Sequence, residues 1–203
     1  MKILGIVCSA RKESNTELLI QEAMAAAKEA GADDLEVLYL GDKTISPCRG
    51  CETCIETGKC AIDDDMQEIY PKLLSADGII IGTPVYFWGA CGLAKNFIDR
   101  TYCLIVSHLA IMPELRAKMK SRGEDLRNKA GGIIVVTARV GGTTALRQVS
   151  DFFRVHRMIE AGSAIALARN KGGVNKDEQG LNEARWTGRA VVRTIKQRQA
   201  LGR

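Results

Sequence analysis

The sequence predicts an α/β fold in which helices cover both faces of a five-stranded parallel sheet. Short apolar runs alternate with segments of helical periodicity along most of the 203 residues. One run, Gly78–Gly82, is wholly apolar, which is typical of a strand buried on both faces. Strands that alternate with helices indicate a doubly wound sheet with right-handed crossovers. For this sheet we expect the strand order 2-1-3-4-5.

The predicted strands share an apolar character and polar or glycine-rich flanks. In chain order they are Lys2–Cys8, Leu35–Leu40, Gly78–Gly82, Ile133–Thr137 and Ser163–Ala168. The predicted helices carry apolar residues at three- and four-residue spacing. They are Asn15–Ala30, Asp64–Ser75, a segment ending near Arg100, Thr144–Val155 and Lys176–Gln199. Residues 1–203 are therefore interpreted as a single domain, with a cysteine-rich loop over residues 41–62.

Residues 101–130 depart from the alternation and are interpreted as an insertion. Tyr102–Met112 is apolar apart from Ser107 and His108, and Pro113–Arg122 follows as a basic helical pattern. An apolar run of that length needs cover, either by another subunit or by a ligand that a neighbouring subunit carries. We expect this insertion and the final helix to form the contact of a homodimer or homotetramer.

The distribution of charge along the chain limits the kinds of partner that we expect. The net charge is +5, and residues 161–203 hold nine Lys and Arg against three Asp and Glu. This surplus is interpreted as a solvated helix face that could also dock an acidic protein, and we expect no nucleic-acid partner. No apolar stretch approaches the roughly 20 residues of a membrane helix, and Met1–Val7 lacks the features of a secretory leader. We expect a cytoplasmic protein whose seven cysteines are not disulfide-bonded.

A polar loop follows the first strand directly and precedes the first helix. Its candidate ligand residues are Ser9, Arg11, Ser14, Asn15 and Thr16. A helix N-terminus offers unpaired N–H groups, and hydroxyl, amide and guanidinium groups suit a phosphomonoester dianion. Neither Gly-x-Gly-x-x-Gly nor a Walker motif is present, so a dinucleotide pyrophosphate fits less well. Helix capping by Asn15 is the alternative interpretation.

Two more loops are expected at the same edge of the sheet. Thr83–Gly89 contains three of the ten aromatic residues of the chain, and Thr137–Thr143 follows the fourth strand. Ligands of open parallel sheets bind where such loops meet. An isoalloxazine ring needs an apolar, partly aromatic wall and backbone donors. Together the three loops favour FMN.

The Ser9–Thr16 loop, the segment Asp77–Arg100 and the stretch Gly141–Thr144 resemble the NADPH-dependent FMN reductase superfamily. Within it they resemble the iron–sulfur flavoprotein branch, over nearly the whole chain. The resemblance implies a flavodoxin-like fold that binds FMN. This family usually has glycine at the position of Cys8 and proline at that of Ala10.

The resemblance also implies roles for individual residues. The FMN phosphate would contact Ser9, Arg11, Ser14, Asn15 and Thr16. The ring would lie against Pro84, Val85, Tyr86 and Phe87, with Thr137, Gly141 and Gly142 behind it. Arg139 stands where small residues are common, and it either neutralises the charge of the reduced flavin or pairs with a surface carboxylate.

Four cysteines fall within 13 residues, in the pattern Cys48-x2-Cys51-x2-Cys54-x5-Cys60. Three thiolates at two-residue gaps can bind successive corners of an iron–sulfur cubane, and the fourth arrives after a turn at Gly58. The compact motif resembles that of the iron–sulfur flavoproteins, and it predicts a single [4Fe–4S] cluster. Zinc and unliganded cysteines are the alternatives. The other three cysteines are interpreted as buried apolar residues.

These cofactors predict an electron-transfer flavoprotein that links one-electron and two-electron carriers, with a partner such as ferredoxin or NAD(P)H. We expect no catalytic acid, base or nucleophile among its side chains. A cluster-free NAD(P)H-dependent FMN or quinone reductase is the alternative, and a flavin-binding module without turnover is the third interpretation. Because the cysteine loop leaves strand two, the working pair of cofactors is expected across a subunit interface.

Overall fold

The computed structural model of the chain describes residues 1–109 and 125–202, with side chains up to residue 105 and again from residue 125. Its strands are β1 (Lys2–Val7), β2 (Asp34–Tyr39), β3 (Gly78–Tyr86), β4 (Gly89–Ala90), β5 (Ala130–Thr137) and β6 (Ile159–Leu167). The order is β2-β1-β3-β5-β6, all parallel, and β4 pairs antiparallel with the end of β3. Counting the five parallel strands alone, this is the predicted order 2-1-3-4-5.

Helices cover both faces of the sheet. They are α1 (Asn15–Glu29), α2 (Thr53–Thr57), α3 (Met66–Ser75), α4 (Gly92–Arg100), α5 (Tyr102–Leu109), α6 (Gly142–Val155) and α7 (Glu178–Ala200). One apolar core lies between the sheet, α1 and α7, and the other between the sheet, α3, α4 and α6. In the described residues no helix combines the length and the apolar character needed to cross a membrane.

Two strands begin three or more residues earlier than predicted. β5 begins at Ala130 rather than at Ile133, because Gly131 and Gly132 weaken the strand signal in the sequence. Glycine is nevertheless needed there: a Cβ at Gly131 would lie 2.6 Å from the ring of Phe153. The partner strand β6 likewise begins at Ile159 rather than at Ser163, and the register shifts between Gly131 and Gly132.

Two predicted loops contain regular structure. The segment over residues 83–89 extends β3 to Tyr86 and turns into β4, and the helix that follows begins only at Gly92. The cysteine-rich loop contains the short helix α2. In the insertion, the apolar run begins as α5, whereas the predicted Pro113–Arg122 helix lies outside the described residues.

Candidate functional sites

A cavity of about 190 Å³ opens at the carboxyl edge of the sheet. Eight of the predicted flavin-site residues line it: Ser9, Arg11, Ser14, Asn15, Thr16, Pro84, Val85 and Tyr86. Residues at the end of β5 and after β5 and β6 complete the wall: Val136, Ala138, Ala168, Arg169 and Lys171. The structure thus brings the first two predicted loops together at the switch point of the sheet.

The polar loop before α1 is held by its own hydroxyl groups. Ser14 is the N-cap of α1 and accepts a hydrogen bond from the Glu17 amide at 3.1 Å. Ser9 Oγ accepts one from the Arg11 amide at 3.2 Å. The capping residue is therefore Ser14, and the interpretation of Asn15 as the cap is wrong. Because the N–H groups of a first helical turn lack intrahelical acceptors, this end of α1 is suited to an anion.

The Asn15 side chain contacts a neighbouring loop. Its Nδ2 donates to the carbonyl of Asn170 at 2.8 Å, and its Oδ1 accepts from the Val174 amide at 3.4 Å. These contacts fix the segment after β6 beside the cavity. They also engage one N–H and the oxygen of the Asn15 side-chain amide. The backbone N–H of Asn15 is therefore the better candidate to donate to a bound ligand.

Two basic residues of this cavity were missed by the sequence reasoning. Arg169 and Lys171 follow β6 directly, and they line the cavity together with Arg11. The Nζ of Lys171 lies 2.6 Å from a Glu13 carboxylate oxygen and lowers the pKa of Glu13. Their position directly after the last predicted strand could have placed them at the ligand-binding edge of the sheet. The charge count instead assigned them to the basic surface of the C-terminal region.

The aromatic residues form the tip of a tight hairpin beside the cavity. Phe87 and Trp88 are the two turn residues between β3 and β4, with φ angles of 47° and 64°. Such turns normally take Asn-Gly, and a left-handed conformation costs an ordinary residue roughly 1–2 kcal/mol. Phe87 is 96% exposed, so it does not line the cavity, whereas Tyr86 does. The fold therefore holds two aromatic rings outward against backbone strain.

The loop after β5 supports this hairpin. Gly141 has a φ of 86°, and a Cβ there would lie 2.8 Å from the Cα of Trp88. Thr137 is buried and donates from Oγ1 to the Val140 carbonyl at 2.7 Å. Gly142 begins α6, and Arg139 is exposed without an ion pair to any described carboxylate. Gly141 therefore packs against the hairpin, and none of Thr137, Arg139, Gly141 and Gly142 lines the cavity.

All four motif cysteines, Cys48, Cys51, Cys54 and Cys60, line a second cavity of about 290 Å³. The chain turns around it through left-handed residues at Gly50, Glu52 and Gly58. Over residues 1–105 and 125–202, no three potential ligands lie close enough to hold a single metal ion. Zinc needs its ligands within about 2.3 Å of one point, whereas a cubane spreads four thiolates over four irons. Four thiols on one cavity are the ligand set that a [4Fe–4S] cluster takes.

The thiols differ in their surroundings. Cys48 and Cys51 are exposed, and Cys54 and Cys60 are partly buried against the core. Hydrogen bonds from Thr53 lower the pKa of Cys51, whereas burial raises the pKa of Cys54 to about 11. A bound metal ion deprotonates such a thiol, so Cys54 as a ligand would take its negative charge from the metal. Cys8, Cys91 and Cys103 are buried, as predicted.

A buried ion pair closes the cysteine loop at its base. Arg100, the last residue of α4, binds both carboxylate oxygens of Asp64, at 2.5 and 2.9 Å. Asp64 also accepts from the amides of Ser46 and Met66, at 2.9 and 3.1 Å. Burial opposes ionisation of this carboxyl, but the Arg100 and amide hydrogen bonds prevail and lower the pKa of Asp64. Sequence reasoning gave neither residue a role, because no local pattern connects them.

Comparisons with known proteins place this geometry in context. Residues 1–172 match the family model described as NADPH-dependent FMN reductase. An iron–sulfur flavoprotein of Methanocaldococcus jannaschii is 40% identical over 206 residues, covering 97% of this chain and 98% of the relative. An iron–sulfur flavoprotein of Methanosarcina thermophila is 34% identical over 164 residues, covering 80% and 78%. The structure of a flavodoxin from the domain Archaea superposes with a TM-score of 0.59 at 13% identity, covering 97% and 99%.

Proposed function

Because the chain belongs to the NADPH-dependent FMN reductase family, and within it to the iron–sulfur flavoproteins, we propose that it transfers electrons through FMN and a [4Fe–4S] cluster. It would link a one-electron carrier such as ferredoxin to a two-electron carrier such as NAD(P)H. The observation that carries the proposal is the presence of all four motif cysteines around one cavity. When bound, FMN exchanges two electrons or one at a time, and the cluster exchanges one.

In this proposal the residues of the first cavity hold FMN by its phosphate. Arg11, Arg169 and Lys171 supply positive charge, and the N-terminus of α1 supplies backbone N–H groups. Pro84, Val85 and Tyr86 provide the wall for the ring. Tyr86 is about half exposed, so the ring would lie at the rim of the molecule, within reach of a second protein or a nicotinamide.

Cys48, Cys51, Cys54 and Cys60 would ligate the cluster. The two cavities have no lining residue in common over the part of the chain that the structure describes. This separation supports a working pair of cofactors formed between subunits of a homodimer or homotetramer.

The family model favours a second candidate, a cluster-free NAD(P)H-dependent FMN or quinone reductase. Anaerobic iron and sulfide analysis of the isolated protein separates the two. The proposal predicts about four irons and four sulfides for each FMN. FMN without iron, together with rapid bleaching by NAD(P)H, would leave the reductase as the function.

Arg11→Ala is expected to weaken FMN binding about tenfold or more. A charge-assisted hydrogen bond to phosphate contributes about 1.5–3 kcal/mol, and Arg11 lines the cavity. Fluorimetric titration of the flavin-free protein measures the dissociation constant. Arg147→Ala, on the exposed face of α6, is the matched control and should bind FMN like the wild type. An unchanged affinity in Arg11→Ala would remove this loop from the flavin site.

We expect an oligomer in solution. The rings of Phe87 and Trp88 at the hairpin are exposed, and that of Tyr102 at the start of α5 is partly exposed, so they form apolar surface that a second chain could cover. Light scattering over a micromolar dilution series should give a mass of two or four chains. A particle of 22.1 kDa at every concentration would contradict an oligomer.

A further inference from the structure

Arg100 has one buried donor that the protein itself does not use. A guanidinium group carries five N–H donors. The two on Nη1 go to the Ser46 carbonyl at 2.9 Å and to Asp64, and the two on Nη2 go to Asp64 and to the Ile62 carbonyl at 3.3 Å. The fifth, on Nε, is buried and has no acceptor among the described residues.

The side chain of Cys60 is a sulfur acceptor close to the Arg100 guanidinium. Cys60 lies two residues before Ile62, whose carbonyl accepts from Arg100 Nη2. Against the effect of burial, the Asp64 carboxylate and Cys60 raise the pKa of Arg100. The Tyr70 hydroxyl is also near Cys60, but it donates its proton to the backbone carbonyl of Arg100 at 2.9 Å. The Arg100 side chain is fully shielded from solvent, so water does not satisfy the Nε–H. The Nε–H is therefore available to the Cys60 sulfur when that sulfur binds a metal.

We propose that Arg100 is a positioning residue for the cluster, whose Nε–H is held for the sulfur of Cys60 and raises the cluster's reduction potential. This inference rests on the proposed function, because it requires a cluster on these cysteines.

The direction of the shift in the cluster's reduction potential follows from charge. Reduction adds one negative charge to a group that four thiolates already make negative. A hydrogen bond to a ligand sulfur and a nearby cation both stabilise the reduced form, so both raise the potential. Asp64 opposes this, because its carboxylate cancels part of the guanidinium charge. Removing the Arg100 donor and removing the Asp64 charge should therefore shift the potential in opposite directions.

Two other charged residues, Arg49 and Glu52, line the cysteine cavity. Both belong to the exposed outer part of the loop, where water and salt screen their charges. They stay constant in the variants below, so they do not affect the comparison.

The test compares wild type, Arg100→Lys and Asp64→Asn as full chains isolated without oxygen. Lysine keeps the charge but lacks the planar fork with its Nε–H. Asparagine keeps hydrogen-bonding groups but removes the carboxylate charge. The readout is the midpoint potential of the cluster, from a redox titration followed by electron paramagnetic resonance. The FMN potential in the same samples is the internal control, since its cavity shares no lining residue with the cysteines.

Arg100→Lys should make the cluster harder to reduce by about tenfold in the redox equilibrium, about 59 mV for one electron. Asp64→Asn should make it easier to reduce. A purely structural role for Arg100 would lower iron content in both variants without this opposite shift. Potentials that move together, or not at all, overturn the inference.

If Arg100→Lys loses its iron, Asp64→Asn decides alone, and a potential that falls or stays constant overturns the inference. Wild-type protein without iron would contradict the proposed function itself, which is a different outcome from iron-containing variants with unchanged potentials.

Discussion

Cys60→Ser is expected to remove the cluster while leaving FMN bound. Cys60 is partly buried at the inner side of the cysteine cavity, and serine is a poor ligand for iron. The cavity proposed for FMN is built from other loops and should be unaffected. In an anaerobic dithionite titration followed by absorbance, full reduction should fall from about three electrons to about two.

Cys103 provides the matched control for this experiment. It is buried beside Cys54 and Tyr70 but lies outside the motif. Cys103→Ala should keep its iron and the third electron. The ligand assignment is wrong if Cys60→Ser keeps the third electron, and Cys103 is then the thiol near enough to complete the cluster. A wild type that takes up two electrons without iron would instead indicate the cluster-free reductase.

Asp64→Ala is expected to lower the free energy of unfolding by about 3–5 kcal/mol. The substitution leaves the charge of Arg100 buried and unpaired, and it removes the acceptor of the Ser46 and Met66 amides. Urea unfolding measures the loss. The control is Lys95→Ala, which breaks the exposed Lys95–Asp99 pair and should cost about 0.5 kcal/mol or less. Equal effects of the two substitutions would contradict a stabilising role for the buried pair.

The same ion pair predicts a pH dependence. The pKa of Asp64 is lowered in the folded protein, so its contribution is complete above the ordinary carboxyl pKa of about 3.9. It is lost as the pH falls through the lower folded-state value. The difference in free energy of unfolding between wild type and Asp64→Asn should therefore be constant near neutrality and shrink in acid. A difference that grows in acid would contradict this assignment.

The sheet and the cysteine loop could be predicted from the sequence because their signals are local. Buried parallel strands appear as short apolar runs, and four cysteines at fixed gaps are conspicuous. The hairpin at Phe87 and Trp88 could not be predicted, because its turn residues contradict ordinary turn chemistry. The early start of β5 was hidden by glycines that are needed for packing against Phe153.

The missed site residues depend on the tertiary structure. Arg169 and Lys171 join the cavity beside α1 only because β6 ends at the same edge of the sheet as β1. Arg100 and Asp64 meet because α4 packs over the base of the cysteine loop. Because these residues are far apart in the sequence, local sequence patterns cannot predict that they come together.

The ties of Arg100 also bear on what holds the cysteine loop in shape. Arg100 bonds Asp64, 36 residues away in the sequence, and the Ser46 carbonyl, 54 residues away. Asp64 in turn accepts from the Ser46 amide, so both ends of the loop are joined to α4 through protein groups alone. The surrounding domain therefore holds the base of this loop, whereas in a zinc finger the metal drives the folding.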